Sequence, residues 1–198
     1  MFDDRKDCAD NQDQLGDQYC PAMTSLANGG YVHSWYNPGF TPSSSCYIAQ
    51  VNDVDGAIVR PQFILGPGYS NPSIAALSCG GFVATYNGRM TQSGNGIYGQ
   101  LFTENGELHC LEFSVLPLFF GIHGNSRVTG LVDGGFTVTW ASADRGPYAD
   151  GYYAQRFTKF SLPTGPEFYL GSKVPEHADD VCNLVGGREF KPDFLGLS

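Results

Sequence analysis

Residues 131–140 read "LVDGGFTVTW": a leucine, a turn at Asp133-Gly134, then a strand of alternating apolar and polar residues. The pattern returns at 77–86 as "LSCGGFVATY" and at 26–35 as "LANGGYVHSW". Leu-x-x-Gly-Gly-aromatic therefore occurs three times, 51 and 54 residues apart. A period near 50 residues marks repeated supersecondary units. The register extends past the glycines. Gln50, Gln100 and Gln155 follow Gly30, Gly81 and Gly135 by 20, 19 and 20 residues, in "CYIAQVN", "GIYGQLF" and "GYYAQRF". Thirteen residues beyond each glutamine stands a phenylalanine, Phe63, Phe113 or Phe168.

Each unit divides into four short strands. The first ends at Leu26, Leu77 or Leu131 and meets a turn at Asn28-Gly29, Cys79-Gly80 or Asp133-Gly134. Asn-Gly and Asp-Gly predict type I′ hairpins, in which both central residues take positive φ. On the returning strand, Tyr31/His33/Trp35, Phe82/Ala84/Tyr86 and Phe136/Val138/Trp140 share one face. Val32/Ser34, Val83/Thr85 and Thr137/Thr139 share the other. Aromatics at both ends of one face suit packing between neighbouring sheets. The glutamine strand, a turn and the phenylalanine strand complete a four-stranded meander.

The fold class expected is all-β: tandem four-stranded antiparallel repeats, propeller-like, with units at about 22–66, 73–117 and 127–171. A linear stack or a β-sandwich of the same hairpins is the alternative. Three units are few for a closed ring, which typically has about four to eight blades. Within 172–198, "VCNLVGG" (181–187) starts a fourth unit but leaves no room for its glutamine and phenylalanine strands. A partial unit of this kind implies a longer array, a neighbouring molecule that completes it, or a divergent cap. Unpaired edges are templates for another chain.

Composition agrees with an all-β chain: 198 residues with 26 Gly, 12 Pro, 14% aromatic and only 16% charged residues. The net charge of −9 argues against partners that are nucleic acids or anionic membranes, which require clustered Lys and Arg. Residues 1–21 form an acidic, Cys-bearing tail, with Asp3, Asp4, Asp7, Asp10, Asp13 and Asp17 against Arg5 and Lys6. No apolar run approaches the length of a membrane span, and the first ten residues lack the apolar core of a signal peptide. Cys8, Cys20, Cys46, Cys79, Cys110 and Cys182 are even in number and contain no C-x-x-C pair. They are disulfide candidates in an extracellular chain, with buried thiols in a cytosolic protein as the alternative.

The stretch "LVDGGFTVTWASADRGPYADGYYAQRF…GPEF" resembles the Asp-Gly-Gly-Phe-x-Val-x-Trp … Tyr-x-Gln-Arg-Phe repeats of large microbial extracellular surface proteins. The third unit matches best, and the first is degenerate, with "YIAQVN" in place of Tyr-x-Gln-Arg-Phe. The resemblance spans roughly residues 22–171 and implies a secreted, surface-associated, non-enzymatic β-repeat protein. It brings no ligand residues. The six cysteines depart from its usual pattern.

Catalytic motifs are missing from the sequence. "GNGIYG" (94–99) satisfies G-x-G-x-x-G but runs from a loop into a strand, the wrong context for a dinucleotide. His33, His109, His123 and His177 have no metal-ligand spacing, and there is no G-x-S-x-G elbow. Calcium is the one cofactor considered, through Asp53 and Asp55 in "NDVDG" and Asp144 and Asp150 in "DRGPYAD", although neither completes an EF-hand loop. Tyr36, Tyr148, Tyr152 and Tyr153, with Asn87 and Asp150 as polar neighbours, are glycan-stacking candidates. No Asn-linked glycosylation site exists, and "TPSSS" (41–45) suits O-linked sugars. The function expected is a structural or adhesive subunit of an extracellular layer or fibre, partnered by copies of itself or other repeat proteins. A lectin-like module is the alternative.

Overall fold

The computed structural model describes residues 19–37, 46–67, 72–91, 94–116, 122–143 and 150–172. These form three four-stranded sheets. Sheet one holds β1 (Tyr19–Ser25), β2 (Tyr31–Asn37), β3 (Cys46–Asn52) and β4 (Ile58–Pro67). Sheet two holds β5 (Ser73–Ala76), β6 (Phe82–Thr91), β7 (Gly94–Phe102) and β8 (Phe113–Ser114). Sheet three holds β9 (Ile122–Gly130), β10 (Phe136–Ala143), β11 (Gly151–Phe157) and β12 (Phe168–Gly171). Every pairing joins consecutive strands in antiparallel sense, so each repeat is one meander. Two boundaries lie earlier than the pattern placed them. β1 starts inside the expected tail, and β9 starts at Ile122, where "IHGNSR" lacks alternation and the register shifts around Asn125 (φ 52°). The remainder of the expected tail and the partial fourth unit lie outside the described residues.

The sheets stack in series, the first on the second and the second on the third. In seam one, Val32, Tyr47, Val51, Phe63 and Leu65 of sheet one receive Phe82, Ala84, Tyr86 and Phe102 of sheet two. In seam two, Val83, Ile97, Leu101 and Val115 of sheet two, with Phe113, receive Phe136, Val138, Trp140 and Phe157 of sheet three. Each sheet thus has a leading face, rich in aromatics and turned to the sheet before it, and a trailing face turned to the sheet after it. The repeated phenylalanine belongs to the trailing face. Phe63 reaches Phe102 at 5.7 Å, and Phe102 stacks on Phe82 at 4.9 Å. Phe113 lies 5.8 and 5.6 Å from the stacked pair Phe136 and Phe157. Aromatic pairs in such geometry add about 0.5–1.5 kcal/mol each beyond the area they bury.

The first strands lie side by side. Ala76 N–H of β5 donates to Thr24 Oγ1 of β1 at 3.3 Å, and Val128 N–H of β9 donates to Ser73 Oγ of β5 at 3.1 Å. Side-chain oxygens thus occupy backbone donors at the joint between sheets, in the propeller-like arrangement expected.

The Gly-Gly pair has two separate causes. Gly29, Gly80 and Gly134 take φ of 86°, 97° and 86° and accept the left-handed step of the turn. The second glycine leaves room for a neighbouring strand. A Cβ at Gly30 would stand 2.5 Å from the Asn52 carbonyl oxygen, and one at Gly135 2.5 Å from that of Phe157. At Gly81 the Phe102 carbonyl blocks the same position, and in this unit the second glycine is also left-handed, at φ 75°.

The expected type I′ turns are corrected. Asn28, Cys79 and Asp133 are not among the positive-φ residues. Gly29 N–H instead donates to the Leu26 carbonyl at 3.0 Å, and Leu26 N–H donates to that of Gly30 at 2.7 Å. This is a three-residue loop, a type I turn followed by one left-handed glycine. Asn28 and Asp133 hold it by accepting the N–H of Gly30 and Gly135 at 2.9 and 3.0 Å, an Asx turn that leaves their own φ negative.

The glutamines act at the far side of the second turn. Gln100 Nε2 donates to the carbonyl of Cys110, and Gln155 Nε2 to that of Gly165, each ten residues on, where the chain enters the fourth strand. Gln50 donates to Asn52 Oδ1 instead, at 3.1 Å.

Gly135→Ala is expected to cost about 3 kcal/mol, at the upper end of overpacking penalties because the obstacle is backbone. Gly165→Ala, at φ 74° with nothing within 4 Å, is expected to cost about 1 kcal/mol for the left-handed residue alone. Urea unfolding measures both, and a Gly135→Ala cost no larger than that of Gly165→Ala contradicts the close-approach reading.

Candidate functional site

Sheet one begins the series, and among the described residues no sheet precedes its leading face. Strand alternation places Tyr31, His33 and Trp35 of β2 on that face, and β3 adds Cys46, Ile48, Gln50 and Asn52 through their register with β2. These positions correspond to Phe82, Ala84 and Tyr86 in sheet two and to Phe136, Val138 and Trp140 in sheet three. The counterparts are all buried in seams. Tyr31 and His33 are only half-buried.

The face is an aromatic row. The Tyr31 and His33 rings lie 6.1 Å apart, and His33 stacks on Trp35 at 5.4 Å and 20°. Trp35, Cys46 and Ile48 form a small cluster of their own with Ile64, separate from the core of seam one. Polar order flanks the row. Asn52 Nδ2 donates to the Gly56 carbonyl at 2.9 Å, which together with the Gln50 bond fixes both amides. Trp35 Nε1 is buried and makes no hydrogen bond. Burial beside the tryptophan holds the His33 imidazole below its ordinary pKa of 6.5, because the charged form loses hydration there. The row is therefore neutral near pH 7, fit to meet another apolar surface.

The other sequence-derived sites are dispersed. Tyr36 is half-buried at the margin of seam one, its ring 5.6 Å from Tyr47. Tyr153 is buried in seam two, between Trp140 at 6.3 Å and Tyr169 at 5.2 Å. Tyr152 is half-buried, one step along the same strand on the trailing face of sheet three. Asn87 is buried. Asp150 is exposed, and its carbonyl accepts from the Tyr169 hydroxyl at 3.3 Å. Tyr148 lies outside the described residues.

Of the calcium candidates, Asp53 Oδ1 accepts from Asp55 N–H at 3.0 Å and Ala57 N–H at 2.8 Å. That carboxylate thus caps its own turn, as the Thr103 and Thr158 hydroxyls do in the other units. Asp55 is exposed, and Asp144 lies outside the described residues. Among the described residues, no three His, Cys, Asp or Glu side chains converge as ligands.

Among the described residues Cys46, Cys79 and Cys110 are not paired with one another. They sit on separate elements, Cys46 on the leading face of sheet one and the other two in different turns of sheet two. Cys8, Cys182 and the Cys20 side chain lie outside the described residues.

Two contacts had no signal in the sequence pattern. Ser142 Oγ and His123 Nδ1 meet at 2.8 Å with both side chains buried, across a spacing of 19 residues that matches no motif. Arg60 crosses seam one: its guanidinium lies 4.2 Å over the Phe63 ring and Nη1 donates to the Gly106 carbonyl. No protein-family model matches the chain, and the search of curated proteins returned no match.

Proposed function

We propose that the chain is a structural or adhesive β-repeat subunit of an extracellular surface layer or fibre. It docks through the leading face of sheet one onto another repeat protein, in the first instance a second copy. One observation carries this reading. At both seams the leading aromatic face is received by the sheet before it, and the first sheet presents the same kind of face with no described sheet before it. A face built to be covered, and neutral at physiological pH, favours association. The extracellular setting rests on the resemblance to microbial surface repeats. Heterologous contacts of this kind propagate into rings or filaments. A second reading, carbohydrate binding, draws on the same row, since half-exposed aromatic rings beside the Gln50 amide are what a sugar face requires.

Light scattering behind a sizing column is expected to show mass rising above the 21.4 kDa of one chain as concentration increases. Tyr31→Asp, which places a charge at the half-buried end of the row, is expected to hold the protein at the single-chain mass while leaving the fold intact. Wild-type protein that stays at the single-chain mass throughout contradicts the assembly reading.

Association is also expected to weaken on acidification. Docking buries the neutral His33 imidazole, and protonation opposes that burial. The interaction is therefore complete near pH 7 and lost as pH falls below 6.5 through the lowered pKa. His33→Gln should remove this dependence, and an unchanged acid profile in that variant contradicts the assignment.

A further inference from the structure

The strands of sheet one are nearly free of charge. The chain has 11 Lys and Arg and 20 Asp and Glu, yet β1 to β4 contain one residue of these types, Arg60. That one crosses seam one, on the opposite side from the leading face. The strands therefore present a leading face with no Asp, Glu, Lys or Arg from edge to edge. Its flanks are apolar as well. Met23 of β1 pairs with His33, Ile58 of β4 pairs with Asn52, and these two side chains are 71% and 60% exposed.

The face at the other end of the series does not match it. Where a leading face is received, Val32 and Val51 line seam one, and Val83 and Leu101 line seam two at the equivalent positions. In sheet three these positions are Thr137 and Arg156. The Arg156 guanidinium is paired with Asp133, both half exposed to water, and Thr137 is already buried. An aromatic face laid there would strip water from the ion pair, and desolvation of charge opposes docking. Head-to-tail addition of copies, the arrangement that propagates, thus lacks an apolar receiving face among the described residues.

We propose that the leading face of sheet one docks on the same face of a second copy, so that self-association closes as a two-fold dimer. The proposal rests on the docking reading above and adds which surface of the partner is met. A two-fold contact presents one surface to itself, so any charge on it would meet its like. A face without charges escapes that repulsion, and Met23 and Ile58 give it an apolar margin to bury. Its size sets the strength. Four strands about 4.8 Å apart, each of about seven residues rising about 3.4 Å, make a face of roughly 450 Å² in plan. That is less than the ~800 Å² each partner contributes to a standard interface, so the dimer is reversible. Copies alone make pairs, and a layer or fibre requires a different repeat protein at the remaining surfaces.

Two measurements on the full chain test it. Sedimentation equilibrium over a concentration series is expected to show mass rising from 21.4 kDa and levelling at twice that value. Isotope-labelled wild-type protein is then mixed with unlabelled Tyr31→Asp protein, and mixed pairs are counted by native mass spectrometry. The variant has a spoiled leading face and an intact trailing face. Face-to-face docking predicts mixed pairs at least about tenfold rarer than wild-type pairs, because the charge is buried without a partner. Head-to-tail docking predicts mixed pairs of comparable abundance, since the variant still receives a wild-type leading face. Met23→Lys, at an exposed side chain, replaces Tyr31→Asp if that variant fails to fold. Arg156→Ala, on the trailing face of sheet three, should leave the two-chain mass unchanged. Mass that keeps rising beyond two chains, abundant mixed pairs, or loss of the dimer in Arg156→Ala overturns the proposal and leaves docking itself standing. Single-chain mass at every concentration contradicts docking as a whole, and the proposal with it.

Discussion

The structure depends on a close approach between backbones. In each unit the carbonyl two residues past the repeat glutamine passes the second glycine of the Gly-Gly pair so closely that no Cβ fits between them. That contact fixes how the first hairpin sits on the third strand, and with it the side to which the aromatic residues of the returning strand point. Seams of interlocking phenylalanines follow, because the leading faces of successive sheets all present their rings in the same direction. The same principle recurs between sheets. Gly130 lacks the Cβ that would strike the Ala76 carbonyl, so β9 lies tight against β5.

Repetition made the fold legible. Three copies of one spacing located the strands, the glutamine and the phenylalanine, and alternation identified the faces that meet at seams. Whatever depends on a single copy stayed hidden. Asn28-Gly29 and Asp133-Gly134 read as type I′ turns because Asn-Gly and Asp-Gly are the usual central pairs of that turn. The Asx bond of Asn28 and Asp133 holds a three-residue loop instead. Tyr153 read as a ring for a sugar, yet its register opposite Trp140 carries it into seam two. Which cysteines pair is a three-dimensional property that composition does not encode.

Differences between copies carry the functional information. Phe82 and Phe136 become Tyr31 at the start of the series, and Phe102 and Phe157 become Asn52, so the first leading face keeps an aromatic row but adds hydroxyl, imidazole and amide groups at its margin. A seam interior would not need them, whereas a face that also meets water does. The exchange of Arg60 for Cys110 is of the same type. Arg60 crosses seam one, whereas Cys110 packs against the core of seam two.

The most direct test is hydroxyl-radical footprinting, read residue by residue by mass spectrometry, at rising protein concentration. The account predicts that Tyr31 and His33 are modified in dilute solution and become protected as chains associate, while Tyr169, 46% exposed on sheet three, stays equally reactive. Modification of Tyr31 and His33 that is unchanged across the concentration series would contradict the claim that the first sheet's leading face is a docking surface.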